Sequence, residues 1–158
     1  MSIPVFSFVA WSGTGKTTLL EKLVPALKER NLRVAVVKHD GHDFQMDRPG
    51  KDTYRLTQAG TDVTAIVSAT HAAFLENRPI SEEEAVARIR GVDVILTEGC
   101  QDGPWPKIGL ARAATGRGLK PVNEPYALVL ADAPVPAACP VLALDDIEGL
   151  ANWIAAQI

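Results

Sequence analysis

Apolar residues fall along this chain in short continuous runs that alternate with stretches of helical spacing. Val5 to Val9, Val34 to Val37, Val92 to Thr97, Tyr126 to Leu130 and Val141 to Leu144 are the runs. Unbroken apolar runs of this kind, β-branched in Val34 to Val37, suit strands buried on both faces of a parallel sheet. Between them, Thr17 to Arg30 carries leucines at helical spacing and stops near Asn31, which tolerates a left-handed cap. Lys51 to Ala59 reads as a short helix closed by Gly60, and His39 to Gly50 as polar loop. Thr64 to Ser68 and Ala72 to Leu75 predict two strands around a short turn. Ser81 and Glu84 form a capping-box pair that opens a helix to about Arg90. Within the Pro- and Gly-containing stretch from Gly103 to Pro125, Lys107 to Ala111 is one further strand and Thr115 to Gly118 a mobile turn. Asp146 caps a last helix, Ile147 to Ile158, with Leu150, Trp153 and Ile154 on one face. Strands alternating with helices give an α/β fold: a mostly parallel sheet flanked by helices, with a small β extension.

Composition narrows this picture without redirecting it. At 158 residues the chain is long enough for one domain with a proper core, and the stretch 102–125 reads as a loop and strand insertion in it. It is 47% apolar and 22% charged, ordinary for a globular protein. A net charge of −3 argues against a nucleic-acid binder held by a broad basic surface. Cys100 and Cys139 lie far apart, with neither zinc-site nor disulfide-framework spacing. The N-terminus runs directly into the first strand without a leader, and no stretch approaches the ~20 apolar residues of a membrane span. The cytoplasm is the expected compartment, and no membrane partner is expected.

Chemistry enters at Ala10-Trp11-Ser12-Gly13-Thr14-Gly15-Lys16-Thr17-Thr18. Apolar run, glycine-rich turn and helix are the setting a phosphate-binding loop requires, and the Gly-Lys-Thr ending is intact. Small residues let backbone N–H groups turn inward, and the following helix adds its positive end. Lys16 then reaches the outer phosphates as a point charge, and the Thr17 hydroxyl ligates magnesium. Ala10 stands where the motif has its first glycine. This fixes the fold class as a P-loop NTPase-like three-layer sandwich, with Ser12, Gly13, Thr14, Gly15, Lys16, Thr17 and Thr18 binding nucleotide.

Glu98 ends the run Val94-Ile95-Leu96-Thr97, at the carboxyl end of a strand where α/β sheets bind ligands. It is the candidate partner of Thr17 at the metal and, with Lys16, the candidate catalytic group; an ordinary strand-end glutamate is the alternative. The loop Lys38 to Asp52 carries His39, Asp40, His42, Asp43, Asp47 and Lys51. It reads either as a segment ordered by nucleotide and magnesium or as a transition-metal cluster. Asp132 follows another strand, where a carboxylate accepts hydrogen bonds from a guanine edge; a turn aspartate explains it equally. The fuller Asn-Lys-x-Asp guanine signature is absent.

Together the phosphate loop, Val37-Lys38-His39, Asp47-Arg48-Pro49-Gly50-Lys51-Asp52-Thr53-Tyr54-Arg55, Glu98-Gly99, Pro106-Lys107-Ile108 and Asp145-Asp146-Ile147-Glu148-Gly149-Leu150 resemble the MobB family. The likeness spans nearly the whole chain, and the Pro-Gly-Lys-Asp-x-Tyr-Arg segment is its most particular part. It implies a GTP-binding adaptor with weak GTPase activity in molybdenum cofactor maturation, usually homodimeric and assisting a MobA-type guanylyltransferase. By that resemblance Gly13 to Thr18 hold phosphates and Mg2+, Glu98 is the second acidic element, and residues 106 to 125 contribute to the dimer. The loop from His39 to Asp52, with His39, Asp47 and Lys51, faces nucleotide or molybdopterin. Two departures stand out: Gly41 replaces the middle histidine of the family's loop, and Cys100-Gln101 replaces Phe-Lys, removing a candidate phosphate or pterin contact.

Two rival readings share the phosphate loop. A small-molecule kinase needs an arginine-bearing lid, for which Arg112 to Lys120 offers only Arg112, Arg117 and Lys120 and no helix. A scaffold that binds nucleotide only for stability has no use for Glu98. Arg48, Arg55 and Arg112 are the candidates for an arginine finger in cis, each read as a surface or interface residue, which fits sluggish turnover.

Overall fold

The computed structural model describes residues 2–158. They form two compact units: one runs to His39 and resumes at Glu82, and the other spans Asp40–Ser81.

The first unit is built on six parallel strands in the order β2-β5-β1-β6-β7-β8. These are β1 (Val5–Val9), β2 (Val34–Lys38), β5 (Val94–Glu98), β6 (Lys107–Ala111), β7 (Tyr126–Ala131) and β8 (Val141–Ala143). The helices are α1 (Lys16–Glu29), α3 (Glu82–Arg88) and α4 (Ile147–Ala155). Strand order reverses at β1, so the crevice of this α/β sheet opens where β1 ends. β5 and β6 flank that point, and Glu98 sits in register with both Phe8 and Lys38.

Alternation along the strands decides what faces the helices. Phe6 and Phe8, Val94 and Leu96, Ile108 and Leu110, and Leu128 and Leu130 share one face. Onto it pack Leu19, Leu20, Leu23 and Leu27 of α1 and Leu150, Ala151 and Ile154 of α4. Trp153 meets Phe6 edge-on at 5.5 Å. α1 closes as anticipated: Asn31 adopts φ 61°, with Leu32 N–H on the Leu27 carbonyl and Asn31 N–H on that of Lys28. That pair of bonds is the Schellman cap. Arg30 next to it bridges to Glu148 and Asn152 of α4. Asp146 caps α4 by accepting from Gly149 N–H at 2.8 Å.

On the opposite face β1 and β5 carry buried Ser7 and Thr97. Thr97 Oγ1 donates to Ser7 Oγ, and Ser7 Oγ donates to the Cys100 carbonyl at 2.6 Å. This chain of bonds turns the backbone sharply after Glu98. Buried Lys107 donates to the carbonyls of Gly103 and Trp105, which secures the same loop from its far end.

Some boundaries differ from expectation. β5 begins at Val94 rather than Val92, because Gly91 turns at φ 73° and Asp93 is engaged with Arg33 through backbone and side chain. α4 ends at Ala155, with Gln157 N–H tightening onto Ile154. Lys107–Ala111 is an interior strand of the sheet, buried throughout, so within 102–125 only residues outside it are free to meet another surface.

The second unit contains α2 (Asp52–Gln58) and an antiparallel hairpin, β3 (Val63–Val67) with β4 (Ala72–Glu76). Gly60, at φ 100°, ends α2. Thr57 and Thr64 share a hydrogen bond of 2.8 Å that joins the helix to the hairpin.

Candidate nucleotide site

The turn from β1 into α1 needs left-handed backbone at Gly13 (φ 80°) and Gly15 (φ 99°), where a Cβ would be strained. Gly15 is the N-cap of α1, and no side chain caps that helix end. Its first amides therefore keep their donors for a ligand. Ser12, Thr17 and Thr18 are exposed and Thr14 is buried.

Lys16 lies along the loop, its Nζ donating to the Ala10 carbonyl at 3.0 Å and the Trp11 carbonyl at 3.3 Å. Burial holds its pKa below that of an ordinary lysine; Glu98 opposes that shift, and nearby Lys120 and Lys38 add to it. A partly buried ammonium that has lost hydration is stabilised further by an added anion such as a polyphosphate. Thr17 Oγ1 donates to Glu98 Oε1 at 2.7 Å, with Glu98 only 9% exposed. A hydroxyl and a carboxylate side by side at a strand end are the hard oxygen donors that suit Mg2+. The donor set thus fits the ion the phosphate loop implies: Thr17 and Glu98 would hold it, and it would neutralise phosphate charge.

His39 lies at the exit of β2. Its backbone N–H donates to the Glu98 carbonyl at 2.8 Å, and its Nδ1 meets Glu82 of α3 at 3.1 Å. Gly99 explains the closeness: at φ 89° its Cβ would stand 2.7 Å from the His39 carbonyl oxygen. The Glu-Gly pair is therefore a packing requirement as well as a chemical one. Asp132, at the exit of β7, accepts from Ala113 N–H at 2.6 Å. It lines a cavity of about 260 Å³ together with Gly15, Thr18, Lys22, Arg112 and Asp145. Asp47 and Lys51 belong to the second unit, where Asp47 accepts from Arg48 N–H and Lys51 precedes α2. His39 and His42 fall in different units. Among the described residues no three His, Cys, Asp or Glu side chains gather as a metal cluster.

Cys100, where the family resemblance expects an aromatic residue, is fully buried. Burial and Glu82 push its thiol up to about 11, so it is an inert packing group.

Three features of this site have no local signature in the sequence. Ser7 anchors the turn after Glu98 across 93 positions, Arg112 reaches the phosphate loop across 98, and Glu82 pairs with His39. Each depends on strand order, which no short motif encodes.

A parallel α/β sheet, a phosphate loop at its switch point and a carboxylate on the neighbouring strand define a P-loop protein. Residues 5–132 match the family model for MobB, molybdopterin guanine dinucleotide synthesis protein B. The chain belongs to the MobB family. It is 38% identical to the molybdopterin-guanine dinucleotide biosynthesis adapter protein of Escherichia coli strain K12, over 96% of this chain and 91% of that relative. Its identity to the Haemophilus influenzae adapter protein is 33%, covering 96% and 88%. The crystal structure of Bacillus subtilis MobB superposes with a TM-score of 0.78 at 25% identity, covering 99% of this chain and 98% of that one. A crystal structure of molybdopterin-guanine biosynthesis protein B gives 0.73 at 27% identity, covering 97% of each.

Proposed function

We propose that this protein is a GTP-binding adapter of molybdopterin-guanine dinucleotide biosynthesis, with weak Mg2+-dependent GTPase activity at most. The observation that carries the reading is the pairing of Thr17 with Glu98 beside a phosphate loop whose helix amides are uncapped. Family membership and adapter relatives matched across nearly their full length support the pathway. Gly13 to Thr18 cradle the phosphates, Lys16 supplies charge, and Thr17 with Glu98 holds Mg2+. Asp132 is a base-edge acceptor for guanine. By the family resemblance, His39, Asp47 and Lys51 are further ligand-binding residues, for the nucleotide or a molybdopterin.

As an adapter the protein serves a MobA-type guanylyltransferase and works in the cytoplasm, as a homodimer and within a single nucleotide-binding domain. Among the described residues no helix is long and apolar enough to cross a membrane. Phe44, Met46, Ile66, Val67 and Phe74 of the second unit are exposed, and apolar surface of this extent supports a role in engaging other proteins.

The test is competition of GTP, GDP and ATP against a fluorescent guanine nucleotide, with and without Mg2+. GTP should win, magnesium should be required, and Glu98→Gln should lose the magnesium dependence. Preference for ATP, or phosphate transferred to a metabolite, would favour a P-loop kinase instead.

A further inference from the structure

The phosphate loop has a second basic neighbour that lies outside its motif. Arg112 leaves the end of β6, and its Nε donates to the Thr14 carbonyl at 3.0 Å. One terminal nitrogen lies 3.2 Å from where a Cβ would stand on Gly15, so the guanidinium rests against the loop's glycines. A guanidinium carries five N–H donors in a rigid fork. The loop carbonyl takes one of them here, and the side chain lines the cavity that also contains Gly15, Thr18 and Asp132.

The segment after Arg112 is tied down by two hydrogen bonds. Ala113 N–H is held by Asp132, and the Thr115 hydroxyl donates back to the Arg112 carbonyl at 2.8 Å. Further on, Arg117 and Lys120 lie 5.7 and 5.6 Å from the ring centre of Trp11, within cation–π range. Tyr126 Oη donates to the Lys120 carbonyl. Inside the loop the Thr14 hydroxyl is buried without a hydrogen-bond partner, on a residue 1% exposed. The loop's own carbonyls already hold Lys16 and Arg112. Asp132 and Asp145 line the same cavity, yet among the described residues no carboxylate pairs with the Arg112 fork. Its one hydrogen bond is to the Thr14 carbonyl, so its remaining donors are open to an anionic ligand.

We propose that Arg112 is a phosphate-contacting residue supplied in cis, gripping the ligand's polyphosphate where Gly15 and Thr18 meet the cavity. The nucleoside end of the ligand then occupies that cavity. This rests on the nucleotide-binding reading above and adds to it a direction for the ligand and a specific side chain. Arginine suits the task because its planar fork meets two phosphate oxygens at once, whereas lysine offers only a point charge.

The experiment is calorimetry of Mg–GTP with the wild type, Arg112→Lys and Arg112→Ala, together with nitrogen-15 spectra of the wild-type arginine side chains. Arg112→Ala should bind about 10- to 100-fold more weakly, the loss expected for one charge-assisted contact. Arg112→Lys should recover only part of that loss. The wild-type side-chain signal missing from Arg112→Lys should shift when Mg–GTP is added, which a residue that merely shapes the loop would not do. A wild type that binds Mg–GTP while Arg112→Ala binds within about twofold of it, or an Arg112 signal that does not move, overturns the inference. A wild type that binds no Mg–GTP overturns the nucleotide reading itself, and this one with it.

Discussion

The unit made of residues 2–39 and 82–158 buries Phe8, Leu23, Leu27, Leu128 and Ile154 completely, whereas no residue between Asp40 and Ser81 is buried. Both segments contain strands and a helix, and both are rich in apolar side chains. They differ in layers. Six parallel strands under α1 and α4 enclose a core, while a two-stranded hairpin beside a short helix has too little surface to enclose one. Met46 is 83% exposed, Phe74 72% and Val67 73%. The phosphate-loop motif thus sits on the unit with a closed core, and the most exposed apolar side chains on the one without.

Stability should separate the two units most sharply. Leu23→Ala in α1 should cost about 2–5 kcal/mol in a denaturant titration, because it leaves a cavity in a closed core. Phe74→Ala in β4 should cost about 0.5 kcal/mol or less in the isolated protein. Comparable losses would erase the contrast.

Ligand linkage sharpens it next. Mg–GTP at a hundredfold excess over its dissociation constant should stabilise the wild type by about 2.7 kcal/mol, and thermal unfolding of Lys16→Ala should lose most of that gain. A full gain retained in Lys16→Ala would detach binding from the phosphate loop.

The outline of the first unit was largely legible in the sequence, for local reasons. Val5 to Val9 and Lys107 to Ala111 fall within the predicted boundaries because continuous apolar runs bounded by Gly, Pro or polar residues leave little choice. Asn31 and Asp146 cap helices as their side chains allow. The pairing of Thr17 with Glu98 was likewise anticipated from a motif and a strand end. What stayed hidden depends on strand order. From the sequence Arg112 is one of three candidates for an arginine finger in cis, each read as a surface or interface residue, and only the placing of β6 beside β1 delivers it to Thr14. Ser7, inside the apolar run from Val5 to Val9, anchors the Cys100 turn. The division at His39 and Glu82 left no mark in composition, since both units use the same residue types.

Two pH effects follow, the larger at the loop. In the proposed site Lys16 acts as an ammonium, and burial lowers its pKa from 10.5. Affinity for Mg–GTP should therefore fall as pH rises through a window below 10.5, earlier than an ordinary lysine would dictate. Affinity that stays flat to that pH would contradict the buried position of Lys16.

The smaller effect is at Asp93, where the Arg33 side chain and backbone hold the carboxyl at about 2 against an ordinary 3.8. A depressed carboxyl pKa stabilises the fold above 3.8 and loses that contribution as pH falls toward 2. Asp93→Asn should flatten that part of the acid-unfolding profile slightly, because the group is solvent-exposed and screened.

Amide hydrogen exchange with and without Mg–GTP tests most directly the claim that the first unit carries the nucleotide. The amides from Gly13 to Thr18 should become strongly protected on addition of Mg–GTP, with lesser protection near Glu98 and Arg112. Unchanged exchange from Gly13 to Thr18 under saturating Mg–GTP, or protection confined to residues 40–81, would contradict it.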